Sequence, residues 1–337
     1  MSAPRVALVG ASGYVGRELD QLLAGHPGIE LAARMTARPG VVPEVDPEGI
    51  QSPIDPLEPG RLEGLDGVFL CTPHGAAAEL ARLALDAGCK VVDASADFRL
   101  RDPAVYEGTY GAPHPAPQLL EEAVYGLTEH AREEVAGSRL IANPGCYPTS
   151  ILLPLLPLLE AGVIDSSATI VCDSKSGVSG AGKKPTATTL YGNVSENFQA
   201  YGVGVHRHTP EIQQGAGTNR LVFTPHLLPL FRGILSTIYV RPAAGLDAEG
   251  MRSILGARYE HEPFVHVRSQ GMPQLADVQR TNRCDIGLAP TGDLVAIVSC
   301  IDNLVKGAAG QALQNMNVLL GLEETAGLAG AAPGGSA

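Results

Sequence analysis

The sequence predicts an α/β protein of two domains, the first with a parallel sheet and the second with a mixed, largely antiparallel sheet. Residues 5–93 alternate compact apolar strands with helical segments, as parallel βαβ units do. After residue 147 the Val/Ile-rich strands are separated by longer loops, which favours mixed or antiparallel pairing. A chain of 337 residues has room for two domains of roughly 150 residues each.

The elements follow from the spacing of apolar residues. Strands are predicted at 5–9, 29–33, 67–71, 90–93, 169–172, 221–224, 233–240 and 294–300, and helices at 17–24, 76–87, 248–259 and 306–320. Pro154 and Pro157 predict that the helix after Cys146 kinks or ends early. A Pro/Gly-rich loop covers 39–59, and the Gly/Ala/Pro/Ser-rich tail at 327–337 predicts disorder.

Composition excludes several classes of function. The net charge of −12, with no cluster of basic residues visible in the sequence, argues against a nucleic-acid partner. No apolar run reaches the roughly 18 residues that predict a membrane span, and the N-terminus does not have the pattern of a signal peptide. The six cysteines form no CxxC pair, which argues against a zinc site or a disulfide framework and predicts a cytoplasmic protein.

Three glycines mark the first strand–helix junction. Gly10, Gly13 and Gly16 form GxxGxxG directly after the strand at 5–9 and before a helix. Glycines there let the backbone approach a pyrophosphate at a helix N-terminus, so a Rossmann-type dinucleotide-binding domain is predicted. A purely structural turn is the alternative, because many strand–helix turns carry glycine.

The end of the second strand indicates which dinucleotide binds. It runs through Arg34, Thr36 and Arg38 with no carboxylate to bond a ribose 2′-hydroxyl. Arginines and a hydroxyl suit a 2′-phosphate, so NADP is predicted. The alternative is that Arg34 and Arg38 are solvated surface residues.

One cysteine stands in a context that suits a nucleophile. Cys146 follows an apolar strand and a Pro-Gly turn and precedes a Pro-Thr helix start. A helix N-terminus lowers the pKa of a thiol and offers N–H groups to an oxyanion. The remaining cysteines are interpreted as small buried residues: Cys71, Cys89, Cys172, Cys284 and Cys300.

A nucleophilic cysteine needs an acid/base partner, and histidine fills that role near neutral pH. Residues 204–211 read GVHRHTPE, with His206 and His208 two positions apart. Metal binding is the alternative, but ligands at suitable spacing are missing, so no metal is predicted.

Several motifs together resemble a known family. They are GASGYVG (10–16), TPHG (72–75), SADFRL (95–100), PGCYPT (144–149), SGVSGAG (176–182), GVHRHTPEI (204–212), RGIL (232–235) and IDNLVKGAAGQALQNMN (301–317). Along nearly the whole chain, they resemble N-acetyl-gamma-glutamyl-phosphate reductases, the arginine-biosynthesis relatives of aspartate-semialdehyde dehydrogenases.

The resemblance implies a role for each matching residue. Cys146 would be the nucleophile and His206 the acid/base, with Arg99, Tyr201 and His208 binding substrate. The positions implied for NADP are Gly10, Ser12, Gly13, Tyr14, Val15, Gly16, Thr36, Arg38, Pro73, Ser176, Gly177 and Asn303. Alternatively, Arg99 pairs with Asp97 or Asp102 on the surface.

The resemblance also implies a domain plan. A Rossmann-type NADP-binding domain at 1–147 would be completed by the C-terminal helix 303–322, and a catalytic and dimerisation domain would occupy 148–302. The Ile/Val-rich strands of the second sheet favour an interface between copies of the chain, so a homodimer or homotetramer is expected.

The implied activity is NADPH-dependent reduction of a small acyl phosphate to an aldehyde through a thioester on Cys146. Two alternatives stay open: a reductase of a carrier-protein-linked aminoadipyl or glutamyl phosphate, and a non-catalytic NADP-binding regulator. Aspartate-semialdehyde dehydrogenases usually have Pro-Asn-Cys where this chain has Pro-Gly-Cys.

Overall fold

The computed structural model of the chain describes residues 2–36 and 55–330. The chain divides into two compact units, one formed by Met1–Pro144 with Ala308–Leu328 and the other by Gly145–Gly307 with Ala329–Ala337. Most of the predicted Pro/Gly-rich loop, and residues 331–337 of the predicted disordered tail, lie outside the described residues.

The first unit is a parallel sheet with helices between its strands. Its strands are β1 (Arg5–Val9), β2 (Glu30–Thr36), β3 (Asp55–Pro56), β4 (Gly67–Leu70), β5 (Lys90–Asp93), β6 (Val124–Tyr125) and β7 (Leu140–Ala142). Its helices before residue 145 are α1 (Tyr14–Ala24), α2 (Ala77–Asp86), α3 (Pro103–Tyr110) and α4 (Thr128–Gly137). The strand order is β3-β2-β1-β4-β5-β7-β6, and each of these neighbouring pairs is parallel.

Both faces of this sheet are buried, which explains why its strands read as continuous apolar runs. In β1, Ala7 and Val9 belong to one core cluster, whereas Val6 and Leu8 belong to another. Burial of both faces requires a helix layer on each side of the sheet, as in doubly wound folds.

The second unit is built on a mixed sheet. Its elements are α5 (Cys146–Glu160), β8 (Ile170–Gly177), α6 (Tyr191–Val194), β9 (Gln199–Ala200), α7 (His208–Ala216), β10 (Leu221–Leu228), β11 (Ile234–Val240), α8 (Ala248–Tyr259), β12 (Val265–Val267), α9 (Leu275–Val278), β13 (Cys284–Thr291) and β14 (Leu294–Ile301). The order is β12-β13-β14-β11-β8-β10-β9, in which β8–β10 and β12–β13 are parallel and the other pairs antiparallel. The predicted fold class is therefore confirmed.

The helix after Cys146 does not end early, since α5 continues through Pro154 and Pro157 to Glu160. A proline at 157 leaves the carbonyl four residues earlier, at Leu153, without its helical donor. The Tyr259 hydroxyl donates to that carbonyl at 2.5 Å. Burial of most of the helix further favours the intact element over a broken one.

The chain end differs in detail from the single helix predicted at 306–320. A π-helical turn occupies Val305–Ala309, and α10 (Gly310–Leu319) follows it. In the first unit the buried amide of Asn315 donates to the Gly126 carbonyl at 2.8 Å and to Asn143 Oδ1 at 3.1 Å.

Throughout residues 2–36 and 55–330, no helix is long and apolar enough to cross a bilayer.

Candidate active site

The glycine turn of the first unit lies between β1 and α1. Gly10 has φ +91°, and a Cβ there would lie 2.4 Å from the Cys71 carbonyl oxygen. A Cβ on Gly16 would lie 2.3 Å from the Gly10 carbonyl oxygen, so close packing requires both glycines. Gly13 differs, because its φ of −77° is ordinary and the nearest atom to an added Cβ is 3.6 Å away. Internal packing therefore does not require a glycine at position 13, and the role of Gly13 in binding a phosphate at the α1 N-terminus stays a prediction.

Other predicted cofactor residues lie next to this turn, either along the chain or on the neighbouring strand of the sheet. Ser12 is exposed, and Tyr14 and Val15 begin α1 with partly buried side chains. Pro73 is exposed in the loop after β4, the neighbour of β1 in the parallel sheet. These residues thus follow the carboxyl ends of adjacent parallel strands, where α/β sheets bind ligands.

Of the three residues expected near the 2′-phosphate of NADP, Arg34 is already engaged within the protein. Arg34 Nε lies 2.6 Å from Asp20 Oδ1, so this arginine is engaged by a carboxylate of α1. Thr36 ends β2 and is buried. Arg38 lies outside the described residues.

Arg99 is buried at the carboxyl end of the parallel sheet. Its Nε donates to the Asn143 carbonyl at 2.8 Å and its Nη2 to the Ala94 carbonyl at 2.9 Å. The carboxylates proposed as alternative partners have other roles: Asp97 accepts the Ala77 and Ala78 N–H groups, and Asp102 accepts that of Ala104. The alternative in which Arg99 pairs with Asp97 or Asp102 on the surface is therefore wrong, because Arg99 is buried.

In the second unit, Cys146 is the first residue of α5 and is partly exposed. The residue before it, Gly145, has an extended backbone with φ −68° and ψ 154°. The Gly145 N–H donates to Glu211 Oε1 at 2.8 Å. Glu211 is 1% exposed and was not predicted as a site residue, although it falls within the GVHRHTPEI motif.

His206 lies among aromatic rings that belong to the same unit. Its ring makes edge contacts with Tyr147, Tyr201 and Phe223 at centroid distances of 5.6, 5.4 and 5.4 Å. Burial, and secondarily the Arg207 charge, lower the pKa of His206 to about 4. The acid/base role assigned to His206 stays a prediction, and the imidazole is neutral at physiological pH.

Tyr201 and His208 surround the same group. The hydroxyls of Tyr201 and Tyr147 lie 3.1 Å apart. Burial raises the pKa of Tyr201 to about 12, and a contribution from Cys146 acts in the same direction, which places the thiol near this pair. His208 is buried at the start of α7, with its ring 5.0 Å from that of His206. Thus Cys146, His206, Tyr201 and His208 converge around Tyr147.

Three predicted cofactor residues of the second unit form a separate group. Asn303 is buried, and its amide accepts the Gly233 N–H at 2.6 Å and donates to Ser179 Oγ at 2.9 Å. Ser176 Oγ donates to the Gly177 carbonyl, and a Cβ on Gly177 would lie 2.7 Å from the Phe231 carbonyl oxygen. In this structure these residues hold the loop after β8 against the end of β14.

A further glycine, Gly307, packs directly on the thiol-bearing residue. A Cβ on Gly307 would lie 2.8 Å from Cys146 Cβ and 3.2 Å from Ile301 Cδ1. Gly307 lies in the π-helical turn and its N–H donates to the Asp302 carbonyl at 2.9 Å. π-Helical turns often occur at functional sites.

No group of three or more His, Cys, Asp or Glu side chains within 2–36 and 55–330 is arranged to hold a metal ion. The second unit offers a thiol at a helix start and a half-buried imidazole that contacts the next residue, Tyr147. The first unit offers a glycine turn that suits a dinucleotide.

Comparison with known proteins gives the family. Residues 5–138 match the semialdehyde dehydrogenase NAD binding domain, and residues 146–303 match the semialdehyde dehydrogenase dimerisation domain. The chain is 48% identical to the N-acetyl-gamma-glutamyl-phosphate reductase of Halorhodospira halophila, over 97% of this chain and 98% of that one. The chain belongs to the N-acetyl-gamma-glutamyl-phosphate reductase family. The relative from Magnetococcus marinus is 47% identical over 96% of this chain and 97% of its own.

Solved structures of more distant semialdehyde dehydrogenases share the fold. Aspartate semialdehyde dehydrogenase II of Vibrio cholerae, complexed with ASA, superposes with a TM-score of 0.69 at 18% identity, over 95% of this chain and 99% of that one. At that identity the likeness concerns the fold alone. The reductase resemblance indicated by the sequence motifs is confirmed by the family relatives.

Proposed function

We propose that the chain reduces N-acetyl-L-glutamyl 5-phosphate to N-acetyl-L-glutamate 5-semialdehyde with release of phosphate, as an NADP-dependent enzyme of arginine biosynthesis. The observation that carries the proposal is Cys146 at the start of α5, beside Tyr147 and Tyr201, in a chain nearly half identical to reductases of that name. The relatives' names favour the free substrate over a carrier-linked one, and a non-catalytic regulator has no use for this thiol.

The first unit supports cofactor binding by its glycine turn. Gly13 leaves room for a pyrophosphate over α1, Ser12, Tyr14 and Val15 flank it, and Thr36 with Arg38 is assigned to the 2′-phosphate. NADPH, when bound, supplies the hydride that takes the acyl group to the aldehyde level.

The residues of the chain then have distinct tasks. Cys146 adds to the acyl carbon and forms a thioester while phosphate leaves. Arg99 is assigned to the phosphate group, and Tyr201 and His208 to the rest of the substrate. His206 is assigned to the oxyanion that forms at the acyl carbon.

Assembly and location complete the proposal. The chain carries the dimerisation domain of its family, and a homodimer or homotetramer through that domain is supported by apolar side chains exposed in the second unit, including Phe198, Val222 and Phe231. All six cysteines are free thiols, which supports a reducing, cytoplasmic location.

The test is the reverse reaction of the purified protein. NADP reduction with N-acetyl-L-glutamate 5-semialdehyde should depend strictly on added phosphate. Cys146→Ser should lower turnover by at least about a thousandfold while NADP binding is retained. Full activity of the serine variant would overturn the covalent route. No turnover with this aldehyde despite NADP binding would overturn the free substrate.

A further inference from the structure

Helix α10 buries several amide side chains, and these serve different parts of the first unit. Gln314, Asn315 and Asn317 are each 0% exposed. A buried amide is costly unless its donor and acceptor atoms are bonded, so the partners of each one show what it holds. Asn317 bonds His26 and two carbonyls of the segment after α10. Asn315 instead bonds Asn143, at a distance of 172 positions along the chain.

Asn143 lies where the chain leaves β7, and it is 1% exposed. Its N–H donates to the Asp93 carbonyl of β5 at 2.8 Å. Its Oδ1 accepts from Asn315 Nδ2 at 3.1 Å, and its Nδ2 donates to the Ala308 carbonyl at 3.1 Å. The next residue, Pro144, has no N–H with which to continue the backbone bonding. The side chain of Asn143 therefore anchors the backbone where the sheet ends.

The orientation of both amides follows from their carbonyl partners. A carbonyl only accepts, so Nδ2 of Asn143 faces Ala308 and its Oδ1 faces Asn315. The Gly126 carbonyl accepts from Asn315 Nδ2 at 2.8 Å, and Thr128 Oγ1 donates to Asn315 Oδ1 at 2.7 Å. Every donor in this set meets an acceptor, so the network fixes a single arrangement of Asn143.

The backbone carbonyl of Asn143 in turn holds the side chain of Arg99. Arg99 Nε donates to it at 2.8 Å, and Arg99 Nη2 donates to the Ala94 carbonyl at 2.9 Å. Ala94 follows β5 and Asn143 follows β7, so the guanidinium is bonded at the carboxyl ends of two adjacent strands. A guanidinium binds phosphate through a planar fork of N–H groups, so the orientation of its plane determines the fit.

We propose that Asn315 is a positioning residue for the phosphate group of the substrate, because by holding Asn143 it sets the plane of the Arg99 guanidinium. This inference rests on the proposed function, in which Arg99 is assigned to the phosphate. Asn315 acts through Asn143 and Arg99 and not on the substrate itself. The last helix of the chain thereby contributes to phosphate recognition as well as to the core of the first unit.

A matched pair of substitutions in α10 tests the proposal. Asn315→Asp replaces the Nδ2 donor by an oxygen, so Asn143 Oδ1 loses its donor. Asn317→Asp makes the same change at an equally buried position whose donor serves carbonyls after α10. In the reverse reaction, KM for inorganic phosphate should rise about 10- to 100-fold in Asn315→Asp, as expected when one hydrogen bond to a charged group is lost. Asn317→Asp should leave that KM unchanged.

Further readouts separate a displaced Arg99 from a general loosening of the fold. In Asn315→Asp, the Kd for NADP, the KM for the aldehyde and the rate of Cys146 alkylation should stay at their wild-type values. Asn143→Ala is a second variant, which removes both side-chain contacts without burying a charge. It should show the same rise in KM for phosphate, and it carries the test if Asn315→Asp does not fold. A wild-type KM for phosphate in Asn143→Ala would overturn the proposal.

A spectroscopic measurement follows Arg99 without turnover. In ¹⁵N-arginine-labelled protein, the Nε–H resonance of Arg99 is identified by its loss in Arg99→Lys. Inorganic phosphate should shift this resonance in the wild type and in Asn317→Asp. Asn143→Ala should displace it before phosphate is added. An undisplaced resonance in Asn143→Ala would overturn the role of the network, even if phosphate shifts it. A wild-type protein whose reverse reaction needs no phosphate would instead overturn the proposed function.

Discussion

The two units each start a helix after an extended glycine, but the surroundings of the two glycines differ. Helices α1 and α5 both begin after a glycine with an extended backbone: Gly13 has φ −77° and ψ 166°, and Gly145 has φ −68° and ψ 154°. The Gly13 N–H donates to the Gly10 carbonyl of its own turn at 3.2 Å, and a Cβ at Gly13 would make only an ordinary contact at 3.6 Å. The Gly145 N–H is instead bonded to the buried carboxylate of Glu211, 66 positions further along the chain. A helix start with room beside it suits an incoming anion, and one bonded to a distant buried carboxylate suits the fixed placement of a reactive side chain.

The largest effect should come from crowding the start of α5. Gly307→Ala places a methyl group 2.8 Å from Cys146 Cβ, so the cysteine must move. A displacement of about 1 Å at a reacting group can cost about 100-fold, and we expect a loss of that size in kcat with a parallel fall in the rate of thiol alkylation.

Gly256→Ala is the matched control, because this glycine lies inside α8 and an added Cβ meets nothing within 4 Å. It should leave alkylation unchanged and stabilise the fold by about 0.5–1 kcal/mol. Normal alkylation of Gly307→Ala would show that the π-helical turn does not set the position of Cys146.

The next largest effect concerns Gly13 at the start of α1 and the affinity for NADPH. Gly13→Ala adds a Cβ 3.6 Å from its nearest neighbour, an ordinary contact, so the melting temperature should not change. The Kd for NADPH should rise about 10- to 100-fold, or about 1.4–2.7 kcal/mol, since the methyl group occupies the space assigned to the pyrophosphate. Gly10→Ala should instead destabilise the fold, because Gly10 has a positive φ and contacts Cys71 closely. Unchanged NADPH affinity in Gly13→Ala would remove the contrast between α1 and α5.

A smaller effect is expected from removing the carboxylate that accepts the Gly145 N–H at the start of α5. Glu211→Ala removes the acceptor of the buried Gly145 N–H and should cost about 1–3 kcal/mol in the free energy of unfolding. Glu211→Gln retains an acceptor oxygen and should lose less than half as much. Urea unfolding monitored by circular dichroism distinguishes these variants. Equal stability of wild type and Glu211→Ala would show that this bond does not hold the start of α5.

The smallest effect concerns the dependence of stability on pH. The folded pKa of His206 is about 4, below the ordinary value of 6.5, so the unfolded chain binds more protons between these pH values. Stability should therefore fall as the pH drops from 6.5 towards 4. Above that interval His206 has no such effect. His206→Gln should lose less stability than the wild type over the same interval, by about 1 kcal/mol after allowance for partial exposure. Parallel melting curves for both proteins would contradict the low pKa.

Features set by adjacent residues could be predicted from the sequence. The strand at 5–9, the glycines that follow it and the cysteine after Pro144-Gly145 each depend on a few neighbouring residues, and the structure places all three at strand–helix junctions. Helix α8 likewise begins and ends where its apolar spacing predicted, at Ala248 and Tyr259.

Features that depend on residues far apart in the sequence could not be predicted from it. Glu211 bonds Gly145 across 66 positions, and Tyr259 satisfies the proline-interrupted α5 across 106. Arg34 was expected to face a 2′-phosphate, but an aspartate of α1 engages it. Strand β13 contains glycine and proline and gave no strand pattern, yet it pairs with β14 from Cys284 to Thr291.

The route of the chain has a consequence for synthesis on the ribosome. The first unit shares its core with α10, whose Leu313 and Met316 pack in the same cluster as Val6 and Leu8 of β1. Roughly half of the protein, the continuous segment Gly145–Gly307 that forms most of the second unit, is translated between these two parts of one core. The nascent first unit therefore keeps an apolar face uncovered until translation is nearly complete, and a stop codon shortly before α10 would leave that face permanently exposed to aggregation and proteolysis.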